Sequence, residues 1–311
     1  MTNTTHRIRT LLVLILCLGV YGFMGIKTEI TGAWLERFND VEKFNTYAAG
    51  NKVSLSDAII KNKTTTGVIL TGATFSNTEW EKVDFFNSHI TSTVFEDSDF
   101  TEVDFKNSIM TDVVFKNCKL IGTNFDEAKL VNVKFINCDF LSSGFFKIKQ
   151  SKIEFENTDF ERVTFSKAQA QLSFLDSKLV FTHLTGLKAP TSLSFTKSEL
   201  DIDFSRSTID KLEITDSISH RAGGGSIRMK ELILKGNKGD RLNFGDSMID
   251  RITIENADMT DQIVGLVNAS VKDLLVVNSK GEIAAIDANF GKIKILNSPK
   301  VLIDMDGATA E

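Results

Sequence analysis

Four histidines, His6, His89, His183 and His220, and three cysteines, Cys17, Cys118 and Cys138, are the scarce residues of this chain whose types could ligate a metal or act as nucleophiles alongside its many carboxylates and hydroxyls. Their spacing argues against both, because no zinc-ligand pattern, nucleophile elbow or phosphate-binding glycine loop occurs. Catalytic residues, cofactor-binding residues and metal ligands are therefore expected to be none. One cluster has a charge that could do something else. His220, Arg221, Arg228 and Lys230 surround Ala222-Gly223-Gly224-Gly225-Ser226, and three successive glycines do not specify one backbone conformation. Residues 216–229 are expected to form a mobile loop. In that setting Arg221, Arg228 and Lys230 are candidates for catching an anionic partner, with a solvated insertion as the bland alternative.

The elements that position these residues are set by a repeat. Phe75, Phe95, Phe115, Phe135 and Phe155 stand twenty residues apart, and Phe85, Phe105, Phe125, Phe145 and Phe165 repeat the interval ten residues out of phase. Trp80, Phe100, Leu120, Phe140 and Phe160, with Ile90, Met110 and Leu130, fill the steps between, so large apolar residues recur every five positions. Neither a helix nor a flat strand has that period. A chain that turns a corner every five residues and closes a square every twenty does, and coils stacked on coils bury their apolar faces only against neighbours. The two phenylalanine series are expected on opposite walls, with rings one coil apart in offset stacks. Val83, Ser88, Ser98, Val103, Ser108, Val113, Cys118, Ala128, Val133 and Cys138 are the small inward residues at the corners. Cys118 and Cys138, one coil apart, are compatible either with parallel thiols or with a disulfide. Asn77, Asp97, Asn117, Asn137 and Asn157 form a polar column of the kind that caps tight turns.

Units such as Val103-Asp104-Phe105-Lys106-Asn107 and Thr123-Asn124-Phe125-Asp126-Glu127 resemble the pentapeptide-repeat family over roughly residues 68–170. The resemblance implies an all-β fold, the family's right-handed quadrilateral parallel β-helix, and it implies no activity. Beyond Phe165 the pattern weakens. Gln150 and Ala170 are expected inward, the frame shifts by one to Phe174, Leu179 and Leu184, and a break at residues 187–192 contains Pro190. Regular coils are assigned to residues 51–185, and a continuation of the same solenoid with irregular coils to residues 186–311. About twelve or thirteen coils at about 4.8 Å each would give a rod of about 60 Å.

Residues 1–30 read as a signal peptide or signal anchor: Arg7 and Arg9 precede an uncharged apolar run, residues 11–26, ended by Lys27. Two arginines on the leading side orient the body to the non-cytoplasmic side, in the periplasm or cell envelope, membrane-anchored or secreted. Residues 31–50 read as a helix, with Trp34, Phe38, Val41, Phe44 and Ala48 at helical spacing and Thr31 as N-cap; it is expected to cap the open end of the solenoid. After Ile295 only Val301-Leu302-Ile303 and Met305 supply apolar surface, so Val301 and Ile303 are candidates for an end-to-end homodimer. With 36 basic and 41 acidic residues, net −5, no nucleic-acid footprint is present. The chain is expected to be a non-enzymatic envelope scaffold that binds a protein of unknown identity. An immunity protein that neutralises a toxin, a DNA-mimicking topoisomerase protector and a polysaccharide-cleaving β-helix enzyme are the alternatives, in that order.

Overall fold

The computed structural model describes residues 27–310 as a parallel β-solenoid of about 13 turns, with two short helices at its amino-terminal end. The interval in the sequence becomes the register of the ladder. Phe75 pairs with Phe95, Phe95 with Phe115, Phe115 with Phe135 and Phe135 with Phe155, all parallel. One 15-stranded sheet carries the wall of Trp80 and Phe100, and one 17-stranded sheet carries the walls of Leu70 and Phe75. The wall of Phe85 is held by single bridges running Asp84–Asp104–Asn124–Gly144–Thr164.

Corners explain why the period is five. In the coil from Phe75 to Ser92, the residue two places after each inward residue is left-handed: Asn77 (φ 51°), Lys82 (54°), Asn87 (57°) and Ser92 (49°). The chain reverses one wall into the next at these four points. Asparagine and aspartate tolerate this conformation better than most side chains, and their amides also bond along the rod. Asn117 Nδ2 donates to Asp97 Oδ1 at 2.8 Å, Asn137 Nδ2 to Asn117 Oδ1 at 3.0 Å and Asn157 Nδ2 to Asn137 Oδ1 at 3.0 Å.

Inside the square the ten phenylalanines of the two series are buried. Along each wall the rings stack nearly parallel, with centroids 4.8 Å apart for Phe115–Phe135 and for Phe125–Phe145. Across the core they meet edge to face, as Phe115 and Phe125 do at 6.2 Å and 90°. Both are favoured geometries of the aromatic quadrupole. Small hydroxyl residues at the corners return their polar atoms to the backbone, Ser98 Oγ donating to Glu96 O at 2.8 Å and Ser143 Oγ to Leu120 O at 3.0 Å.

After residue 148 the coil changes. Gln150, expected inward, is exposed at φ 48°, and Ser151 takes the buried place across a register shift. The extra residue at Gln150 is offset by one fewer between Ser151 and Ile153, so Phe155 still follows Phe135 by twenty, and the next coil is one residue short. Phe155 then pairs with Phe174 and Phe174 with Phe195, so the shifted frame is real and the segment with Pro190 restores the ladder, Leu187 and Thr191 both buried. Farther on, the coils lose two of their four left-handed corners: Asp216 and Ser226 remain in one coil, Asn278 and Asp287 in another. The strands lengthen accordingly to eight residues, as in Thr208–Thr215, Arg228–Lys235 and Met248–Glu255, each turning its corner on two successive outward residues. What the sequence presents as irregularity is a second coil type with fewer tight turns.

The amino-terminal end is built differently from the expected single helix over residues 31–50. Two helices form, α1 (Gly32–Phe38) and α2 (Val41–Gly50). The break comes at Asn39–Asp40, where Asp40 Oδ1 accepts the Lys43 amide and caps α2, while the Thr31 side chain caps nothing. An N-cap carboxylate also suits the helix dipole. Phe38 and Phe44 from the two helices are buried, Phe38 edge-on to Trp80 at 5.9 Å, so the pair does cover the first coil. Thr28–Glu29, inside the span read as leader, add a strand to Ala58–Ile59, and Lys27 Nζ reaches Asp99 Oδ2 at 3.2 Å. The apolar run of residues 11–26 lies outside the described residues. Among those described, no helix is long and apolar enough to cross a membrane.

Candidate functional site

The basic residues picked out by the sequence are not brought together. Arg221 lies on the strand Ile218–Gly223 of the 15-stranded sheet, whereas Arg228 and Lys230 lie on Arg228–Lys235 of the other sheet. Two of the three are paired in the coil below: Arg221 Nη2 with Asp201 Oδ2 at 3.0 Å, and Lys230 Nζ with Asp210 Oδ1 at 2.6 Å. The expected mobile loop over residues 216–229 is instead a coil in register. Its glycines serve close approach, since a Cβ on Gly223 (φ 135°) would come 2.0 Å from the carbonyl oxygen of Asn243. Only Gly leaves that space.

Cys118 and Cys138 are free, buried thiols. Cys118 Sγ donates to the carbonyl of Lys116 at 3.3 Å and Cys138 Sγ to that of Ile136 at 3.4 Å. Burial pushes the Cys118 thiol above its ordinary range, which removes the thiolate that nucleophilic chemistry needs. His89, His183 and His220 are exposed and far apart in the coil order. Among the described residues, no group of three His, Cys, Asp or Glu side chains could hold a metal ion.

The outer walls carry charge in columns. Lys116–Glu96, Lys134–Glu154 and Lys272–Asp250 pair across adjacent coils. Carboxylates also stack on one another. Asp104 bridges to Asp84, and burial, followed by the charge of Asp84, raises its pKa, although its Oδ1 accepts the Lys106 amide at 2.9 Å. Asp159 pairs with Asp139, and burial with that like charge raises it too.

At the carboxyl-terminal end Val301 and Ile303 are half-buried against the last coil, pairing with Gly281 and Ile283. Leu302 is 70% exposed beside them and Ile295 42% exposed. A residue that sequence reasoning passed over is Phe181, 52% exposed and left-handed at φ 49°. Its signal was its place two residues after inward Leu179, a corner where Lys82, Glu102, Gly122, Ser142 and Arg162 stand in earlier coils.

Comparison with protein families matches residues 108–214 to the pentapeptide repeat region and residues 60–145 to the SV2A/B/C luminal domain. Against curated proteins there is no match. Among solved structures the chain is similar to QnrB1, a plasmid-mediated fluoroquinolone resistance protein, at 15% identity over 61% of this chain and 92% of that one, TM-score 0.38. It is also similar to HetL, a pentapeptide repeat protein involved in heterocyst differentiation regulation from the cyanobacterium Nostoc sp. strain PCC 7120, at 12% identity over 86% and 95%, TM-score 0.24. The A-module of the mannuronan C-5 epimerase AlgE4 from Azotobacter vinelandii matches at 8% identity over 93% and 98%, TM-score 0.32.

Proposed function

We propose, from the premise that this chain is a pentapeptide-repeat solenoid, that it is a non-enzymatic scaffold whose walls bind protein, held on the non-cytoplasmic side of a membrane by its amino-terminal segment. The observation that carries the reading is the unbroken parallel ladder from Thr28–Glu29 to Lys300–Asp304. Such a ladder presents polar columns at fixed spacing and devotes most of its aromatic residues to the core. The mixed charge of the walls, net −5 over the chain, favours a protein partner over a phosphate backbone. Location rests on Arg7, Arg9 and the apolar run of residues 11–26, by the positive-inside tendency. A reporter enzyme fused to the carboxyl terminus is expected to be active only outside the cytoplasm. Placing charges at Leu12 and Leu14 should abolish that, each costing about 2.5–3.5 kcal/mol in an apolar segment; a native fusion active in the cytoplasm would overturn the placement.

The partner surface proposed is the end carrying Val301, Leu302 and Ile303, with Leu302 70% exposed, and a second copy meeting it end to end would cover both strand edges. Sedimentation of residues 27–311 is expected to give a dimer that Val301→Asp with Ile303→Asp converts to monomer. Identical monomeric profiles would rule out that interface.

A further inference from the structure

Phe181 marks the edge of a groove. A bulky side chain in left-handed backbone is disfavoured, and at this corner earlier coils carry Lys82, Glu102, Ser142 and Arg162 instead. Beyond Phe181 the strands Glu199–Asp203 and Arg241–Asn243 contain no left-handed residue, and Phe181, 52% exposed, lines the groove beside them. The space beside it has a volume of about 330 Å³, within the roughly 300–1,000 Å³ of small-molecule sites.

Two outward columns line this groove. The first runs Asp201, Arg221, Arg241 on successive coils, since Asp201 pairs with Arg221 and Ala222 with Leu242. Arg221 bonds Asp201 and lays its guanidinium 5.6 Å from the centre of the Phe181 ring. Arg241 makes no ion pair among the described residues, so of the two guanidiniums on successive coils only that of Arg221 is matched by a carboxylate. Like charges directly opposite on neighbouring strands destabilise a sheet. The second column runs His183, Asp203, Gly223, Asn243. Asp203 Oδ1 is taken by the amide and hydroxyl of Ser205 at 2.8 and 2.6 Å, which orients the rest of the carboxylate, while Gly223, packed against the Asn243 backbone, puts no side chain between Asp203 and Asn243.

We propose that this groove binds an anionic saccharide, a uronate-containing oligosaccharide. One sugar ring lies by its C–H face on Phe181, and its carboxylate sits between Arg221 and Arg241, where planar guanidiniums bind carboxylate bidentately. Asp203, Asn243 and His183 supply acceptors and donors for hydroxyls along the second column. A neutral sugar leaves Arg241 unmatched, and a polyphosphate meets Asp201 and Asp203. The site is independent of where the body resides and of the protein partners proposed above.

The test is calorimetric titration of the purified full-length chain with a galacturonic acid tetramer, and with cellotetraose as neutral control. Saturable binding of the uronate alone is expected. Phe181→Ala and Arg241→Ala should each weaken it at least tenfold with unchanged circular dichroism. Arg251→Ala, on the other sheet, should leave it within twofold. No saturable uronate binding, equal affinity for cellotetraose, or full affinity in both groove variants would overturn the proposal.

Discussion

At Phe115 the ring is buried with its faces on Phe95 at 4.9 Å and Phe135 at 4.8 Å, and its edge toward Phe105 and Phe125. Phe115→Ala opens a void shared by three coils, and a loss of about 3–5 kcal/mol is expected in denaturant unfolding. Lys116→Ala, next in sequence but outward and paired only with Glu96 in solvent, should be close to neutral; equal losses would contradict the inward assignment. Asp104 gives a pH test. A carboxyl whose folded pKa is raised holds its proton more tightly folded than unfolded, so its contribution is fullest below the ordinary Asp range and is lost as pH rises through the raised value. Asp104→Asn keeps an acceptor for the Lys106 amide, as Asn124 does for Asp126. It should therefore melt higher than the parent at pH 7, by a few tenths of a kcal/mol after solvent screening, with the advantage gone below about pH 4. An advantage independent of pH would mean that the stacked carboxylates are not its source. The phenylalanine columns were legible in the sequence because one period governs every inward position. Phe181 was not, because the frame that sets Leu179 inward says which residues are buried and not which outward residue lines a groove.

Among the elements, the glycine run separates composition from context. In isolation Gly223-Gly224-Gly225 signals freedom, yet in the coil Gly223 and Gly224 press against the backbones of Asn243 and Ser205, where a Cβ would sit 2.0 and 2.5 Å away. Gly223→Ala is expected to lose more than ~1 kcal/mol, since the left-handed conformation and the contact both oppose it. Gly225→Ala, whose Cβ would meet nothing nearer than 3.7 Å, should lose less. Comparable thermal midpoints would restore the mobile-loop reading. The cap shows the converse. Helical spacing of Trp34, Phe38, Val41, Phe44 and Ala48 was visible in the sequence, but the break was not, because Asp40 reads equally well as a surface residue until its carboxylate is seen on the Lys43 amide. Likewise the eight-residue strands of the later coils follow from dropping two left-handed corners. A corner made of two ordinary outward residues, such as Asp210 and Lys211, leaves no mark in composition.

For the whole molecule, the solenoid was legible and its use only partly so. Repetition specifies a stack without specifying what touches it, and Arg221, Arg228 and Lys230, adjacent in sequence, part company when the chain turns a corner between the two sheets. The central claim is that each coil of the regular stack from Phe75 to Phe155 is a twenty-residue unit supported only by its neighbours. Excising residues 110–129 joins Ile109 to Leu130 and recreates the link Lys129–Leu130, one coil along, because Ile109 and Lys129 are register partners. Excising residues 110–127 instead sets Ala128 in the place of Met110 and sends Leu130 to a corner, breaking the inward set as a register slip does in a sheet. The deciding measurement is the thermal unfolding midpoint of these two variants of residues 27–311. The twenty-residue excision should unfold cooperatively within a few degrees of the parent and the eighteen-residue excision should lose that transition, whereas equal behaviour of the two would contradict the account.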